Sequence, residues 1–135
     1  MLVADFKAIC EAFSPSLPVY VATDDDDGSH QLPALRVGHH NPPEEIHADV
    51  PVELFTAPWH SPTGAPITLQ LILAELAANH AIANHIRIAV PTDQGHHRIL
   101  DILKMSVTAI DGNAVAQVEC EPWNGLHHTI RVDQE

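Results

Sequence analysis

The dipeptide Asp111-Gly112, set between two stretches that alternate apolar and polar residues, constrains this chain more than any other feature. Asp-Gly suits the two left-handed positions of a two-residue hairpin turn, so it fixes a register as well as a bend. Folding the chain about it sets Leu103, Met105, Val107 and Ala109 opposite Cys120, Val118, Ala116 and Ala114, an entirely apolar face. The other face pairs Lys104 with Glu119 and Ser106 with Gln117, a combination suited to solvent. A second turn follows at Trp123-Asn124-Gly125. Read as a three-residue loop with Gly125 at the left-handed bulge position, it brings Ala116 opposite Val132, Val118 opposite Ile130 and Cys120 opposite His128. Residues 102–133 are therefore predicted to form a three-stranded antiparallel meander.

Upstream, Val3, Phe6, Ile9, Cys10 and Phe13 recur at helical spacing until Ser14-Pro15, which predicts a short amphipathic N-terminal helix. Residues 19–22 read as a strand, and Leu35 with Val37 as a second, joined across Asp24-Asp25-Asp26-Asp27-Gly28 by a charged turn. Residues 38–51, with three prolines, read as a surface loop leading to a strand at 52–55. Residues 67–83 are apolar around most of a helical circumference and follow Pro66, which predicts a buried central helix. A strand at 86–90 stops at Pro91, while residues 92–101 fit either a loop or a helical turn. The expected fold is a single α+β domain over 1–135: an antiparallel sheet packed on a long buried central helix, with a short N-terminal helix.

At 135 residues one core is expected. The longest apolar stretch is interrupted by Thr68, Gln70 and Glu75, too polar to span a bilayer, and no basic-then-apolar leader opens the sequence, so a cytoplasmic location is expected. Cys10 and Cys120 match no zinc or redox spacing and read as reduced core thiols. With 6 Lys and Arg against 18 Asp and Glu, the formal charge is −12, which repels phosphate backbones and anionic membrane surfaces. Neither nucleic acid nor a membrane is an expected partner.

Three histidine doublets, at 39–40, 96–97 and 127–128, raise a metal reading. Adjacent strand residues point to opposite faces, however, so a doublet seldom supplies two ligands to one ion, and no metal or other cofactor is expected. Aligning Gly28 with the invariant glycine of a calcium loop puts Thr23 first and Ala34 twelfth, where carboxylates belong. Phosphate loops, dinucleotide fingerprints and nucleophile elbows are all missing. What remains is the segment Pro58-Trp59-His60-Ser61-Pro62-Thr63-Gly64-Ala65-Pro66, which runs into the apolar helix. There His60 is a candidate catalytic base, and Glu75, on the helix, a candidate acid.

The order of a helix, strands, a His-x-Pro loop, a long apolar helix, a strand and a closing meander resembles the hotdog fold, and in particular the 3-hydroxyacyl-thioester dehydratases. The residues that carry the likeness are His60-Ser61-Pro62, Glu75-Leu76-Ala77-Ala78 and Ile110-Asp111-Gly112-Asn113-Ala114-Val115-Ala116. The resemblance implies that His60 takes the α-proton of an acyl thioester and Glu75 protonates the departing hydroxyl. Ser61 stands where the family has Phe, and the step from His60 to Glu75 is one residue longer, about 100° of helical rotation. Against it stands a second class, a non-catalytic protein- or ligand-binding module of the immunity or chaperone kind, whose negative charge steers a basic protein partner. The sequence favours the second class; its alternative is the acyl-thioester protein, and a homodimer fits either.

Overall fold

The elements run α1 (Val3–Cys10), β1 (Val19–Asp25), β2 (Gly28–Gly38), β3 (Val52–Thr56), α2 (Leu69–Asn79), β4 (Ile86–Pro91), β5 (His97–Leu100), β6 (Ile102–Ile110) and β7 (Asn113–Cys120). This is the order in a computed structural model, which describes residues 1–25, 28–39, 48–92 and 95–122. All seven strands join one sheet in the order β5-β4-β3-β2-β1-β7-β6. The seam is β2, whose eleven residues reach about 36 Å and so can serve two neighbours in turn. Its first half pairs with β1, Leu32 against Val21, and its second with β3, Val37 against Leu54. Between them Leu35 is the extra residue of a bulge, which bends the strand where its partner changes.

The sheet is mixed, not antiparallel. β3 pairs with β4 in parallel, with α2 as the crossover, and β1 pairs with β7 in parallel. The long buried central helix is overturned as well. Thr68 caps α2, its hydroxyl accepting from the Leu71 N–H at 3.2 Å, and the helix ends after eleven residues at Asn79. Only Leu69, Ile72 and Leu76 are fully buried, while Leu71 is 46% exposed and Ala74, Ala77 and Ala78 face solvent. A short helix against one face of a sheet has one stripe to bury, so the run of Leu and Ala records helix propensity rather than enclosure. The fold is thus two short helices on a seven-stranded mixed sheet, and the order of elements that resembled the hotdog fold does not produce its central helix.

Both helices face one core. Val3, Phe6 and Cys10 of α1 join Leu69, Ile72 and Leu76 of α2 over Val19, Val21, Leu54, Ile88, Leu100 and Val118. The N-terminus is fastened beside β4, where the Ile86 N–H donates to the Met1 carbonyl at 2.9 Å and the Val3 N–H to the Asn84 carbonyl at 2.8 Å.

At the hairpin, Asp111 and Gly112 have φ of 53° and 83°, the left-handed pair that the turn requires. The register holds from Lys104 opposite Glu119 to Ile110 opposite Asn113. It breaks at Leu103, where a shift lets Ile102 take the place opposite Cys120. Leu103 is 59% exposed because the shift gives its core position to Ile102, and Val107 is 52% exposed because β6 is the outermost described strand and the core ends beneath it at Met105. The third strand expected at 126–133 lies outside the described residues. The flank of β7 it was expected to take is held by β1, from Val19 opposite Ala116 to Ala22 opposite Glu119. Residues 97–100, left open between loop and helical turn, form the edge strand β5. Among the described residues no helix is long and apolar enough to cross a membrane.

Candidate functional site

Among the described residues the face of the sheet opposite the helices is left open along β1, β2 and β7, and a cleft forms where small and long side chains meet there. On β1, Ala22 sits between Gln31 of β2 and Glu119 of β7 in the cross-strand register, and Asp24 sits opposite Ser29. A methyl group flanked by two long polar side chains leaves a hollow. The resulting cavity of about 450 Å³ is bordered by Ala22, Asp24, Ser29, Gln31, Gln117 and Glu119, among others. The Gln31 Nε2 donates to the Gln117 Oε1 at 2.7 Å, a bond that crosses β1 and forms one wall. Glu119 is held by Lys104, 3.7 Å away, and by the Ser106 hydroxyl at 3.4 Å.

Two further groups at this cleft bear on its chemistry. Thr23, 8% exposed, also borders it, but its hydroxyl is buried and has no hydrogen-bond partner among the described residues. The Cys120 thiol also borders it, but burial first and then Glu121, Asp101 and Glu119 push its pKa upward. A thiol held protonated is a poor nucleophile.

The two residues named as catalytic candidates occupy other places. His60 is exposed, its ring 5.6 Å from Trp59, which in turn lies 5.8 Å from the His30 ring and 5.3 Å from the Arg98 guanidinium. Glu75 is half-buried on α2, accepts from the Asn79 Nδ2 at 2.9 Å, and borders a second cavity with Leu35, Arg36, Val37, Ile67 and Leu71. His60 does not border that cavity. The charged neighbour that Glu75 does influence is His80, whose pKa burial and the nearby His39 lower and Glu75 partly restores. The His39 and His80 rings meet edge to face at 5.3 Å, and the His39 Nδ1 lies 3.1 Å from the Pro51 carbonyl. A carbonyl only accepts, so this Nδ1 carries the proton.

Sequence reasoning missed Ala22, Gln31 and Gln117 as site residues. Its one available signal was the polar face of the hairpin, Lys104 with Glu119 and Ser106 with Gln117, which reads as plain solvated surface until β1 is placed beside β7. Among the described residues no group of three or more His, Cys, Asp or Glu is arranged to hold a metal ion. No protein-family model, curated protein or solved structure matches the chain.

Proposed function

We infer that this chain is a non-catalytic binding module for a basic protein segment, in the manner of an immunity protein or a chaperone. The observation that carries the reading is the cleft on β1, β2 and β7: Asp24 and Glu119 border a hollow together with Ser29, Gln31, Gln117 and His30, on a chain of formal charge −12. An arginine or lysine entering it meets carboxylates and amide oxygens, which replace much of the hydration it gives up. Long-range attraction by the net charge raises the encounter rate with such a partner and repels acidic ones.

The test is calorimetric titration with a nine-residue peptide alternating arginine and valine, beside its glutamate counterpart. The arginine peptide is expected to bind and to weaken as salt rises, because the screening length shrinks from about 30 Å at 0.01 M to about 8 Å at 0.15 M. The Asp24→Asn, Glu119→Gln double variant is expected to bind about tenfold more weakly, equivalent to about 1.4 kcal/mol. Equal binding of the two peptides, or an unchanged affinity in the double variant, would overturn this assignment of the cleft.

A further inference from the structure

The second cavity lies where β2 has lost one neighbour and not gained another. The pairing of β2 with β1 ends at Pro33 opposite Tyr20, and the next carbonyl, of Ala34, accepts from the Ile67 N–H at 2.9 Å. From residue 35 to 38 the described strands pair with β2 on the β3 side alone. The direction of each peptide group there follows from the neighbouring ladder. The Val52 N–H donates to the His85 carbonyl at 2.9 Å, so Val52 and Leu54 turn their backbone groups toward β4, and Glu53 and Phe55 turn theirs toward β2. Arg36 opposite Phe55 and Gly38 opposite Glu53 are the residues that meet them. Val37 lies between these two, so its N–H and C=O point the other way, and no loop or turn bond to them occurs among the described residues.

On that side stands α2. The groove between the strand and the helix has a volume of about 260 Å³ and is bordered by Leu35, Val37, Ile67 and Leu71, with Glu75 at the rim. Leu71 is 46% exposed although it faces this groove. Arg36 also borders the groove, with its guanidinium lying 3.8 Å over the Phe55 ring on the opposite face of the sheet. Gly64 lets the preceding loop press onto Leu35: with φ of 132° it approaches so closely that an added Cβ would come 2.8 Å from Leu35 Cδ2. The dimensions agree with a short strand. Residues 35–38 span about 13 Å, and the eleven residues of α2 flank them over about 16 Å.

We propose that this groove takes an extended segment of a basic protein partner as an added strand on the flank of β2. The segment's backbone bonds to the N–H and C=O of Val37, one apolar side chain packs among Leu35, Ile67 and Leu71, and an arginine or lysine lies beside Glu75. Strand addition of this kind draws affinity from main-chain bonds and specificity from the pockets that receive alternate side chains. The proposal rests on the reading of the protein as a binder of basic segments, and it adds a second point of contact, on the other face of the sheet from the first.

The experiment uses the full chain and the same arginine–valine peptide, made in two further forms with N-methyl groups on odd or on even residues. The cleft and the groove lie on opposite faces of the sheet, so the peptide fills them as two separate sites. Strand addition requires alternate peptide N–H groups, so one methylated form is expected to lose binding at the groove at least tenfold and the other to retain it. Leu71→Glu, at an exposed helix position, is expected to weaken the groove site about tenfold and to leave the cleft site unchanged. Glu75→Lys is expected to transfer the preference toward the glutamate–valine peptide, and circular dichroism identifies a variant that has failed to fold. If both methylated forms bind like the parent and Leu71→Glu has no effect, while the Asp24, Glu119 variant still loses affinity, the groove is not the site and the basic-partner reading stands. If the peptide fails to bind the unaltered chain, both fall. Sedimentation that shows a dimer dissolved by Leu71→Glu would assign the groove to a second copy of the chain and overturn the proposal.

Discussion

At β3 and β4 both faces of the sheet are covered, whereas at β1 and β7 one face is covered and the other is open. Every residue of β3 is buried: Val52 and Leu54 enter the main core, while Phe55 on the other face packs with Ala89 and Ile99. Even charge is enclosed there, since Glu53, 1% exposed, accepts from the Arg87 Nε at 3.0 Å. On β7, by contrast, Ala116, Val118 and Cys120 are buried and the intervening Gln117 and Glu119 stay accessible. The parallel pair with its helical crossover supplies the rigid half, and the alternating strands supply a surface that can bind. A ligand site on the second half can therefore vary without breaking the first.

The strongest challenge to this contrast is truncation of one leucine in each half. Leu54→Ala opens a cavity in the fully buried strand and is expected to cost about 2–5 kcal/mol of unfolding free energy. Leu103→Ala, on the exposed outer strand, is expected to change it by no more than about 0.5 kcal/mol. Urea denaturation measures both, and comparable losses would abolish the distinction. Charge gives the next comparison. Arg87→Ala removes one partner of a buried carboxylate and is expected to cost about 3 kcal/mol, whereas the joint change Glu53→Leu with Arg87→Met recovers most of that loss. In the open half, Gln117→Ala removes the acceptor of the exposed hydrogen bond from the Gln31 amide and is expected to cost about 1 kcal/mol or less.

These halves were not equally legible in the sequence. The hairpin from Lys104 to Glu119 could be read because turn chemistry and alternation are local and agree. Its expected core face was half right: Val118 and Ala116 are buried, but Leu103 is turned out by a register shift that alternation does not encode, and Val107 is exposed because its strand is the outermost of the described sheet. The partnership of β1 with β7 joins residues about a hundred positions apart, Val19 with Ala116, and no local signal encodes it. Without that partnership Asp24, Gln31 and Glu119 have no reason to be considered together. The error on α2 came from the same limit. Leu and Ala favour a helix wherever it lies, and only the sheet decides how much of its circumference is enclosed.

Alkaline pH probes the enclosed side more gently. Burial, with a smaller contribution from Glu11, pushes the Cys10 thiol up to about 12 from an ordinary value of 9.0. A raised folded-state pKa means that the stabilisation is fully present below pH 9.0 and is lost as pH rises through the folded value. Urea midpoints are expected to fall between pH 9 and pH 11, and Cys10→Ala is expected to reduce the slope of that fall. An unchanged slope would place Cys10 in contact with solvent, outside the core that α1 shares with the sheet.

The smallest expected effect lies at the end of α2, where the covered half meets solvent. The His80 pKa is lowered from 6.5 by burial, then by His39, while Glu75 opposes the shift. A lowered folded-state value makes the unfolded chain the better proton acceptor. The stabilisation is therefore complete above pH 6.5 and is lost as pH falls through the folded value. Replacing His80 by Gln removes this dependence, so its urea midpoint is expected to fall less between pH 7 and pH 5 than that of the unaltered chain. Glu75→Gln, which removes the opposing carboxylate, is expected to lower the His80 value further, as a proton-detected titration of the ring would read. Should that titration place His80 above 6.5 in the unaltered chain, the carboxylate would outweigh burial, and the end of α2 would belong with the open half of the molecule.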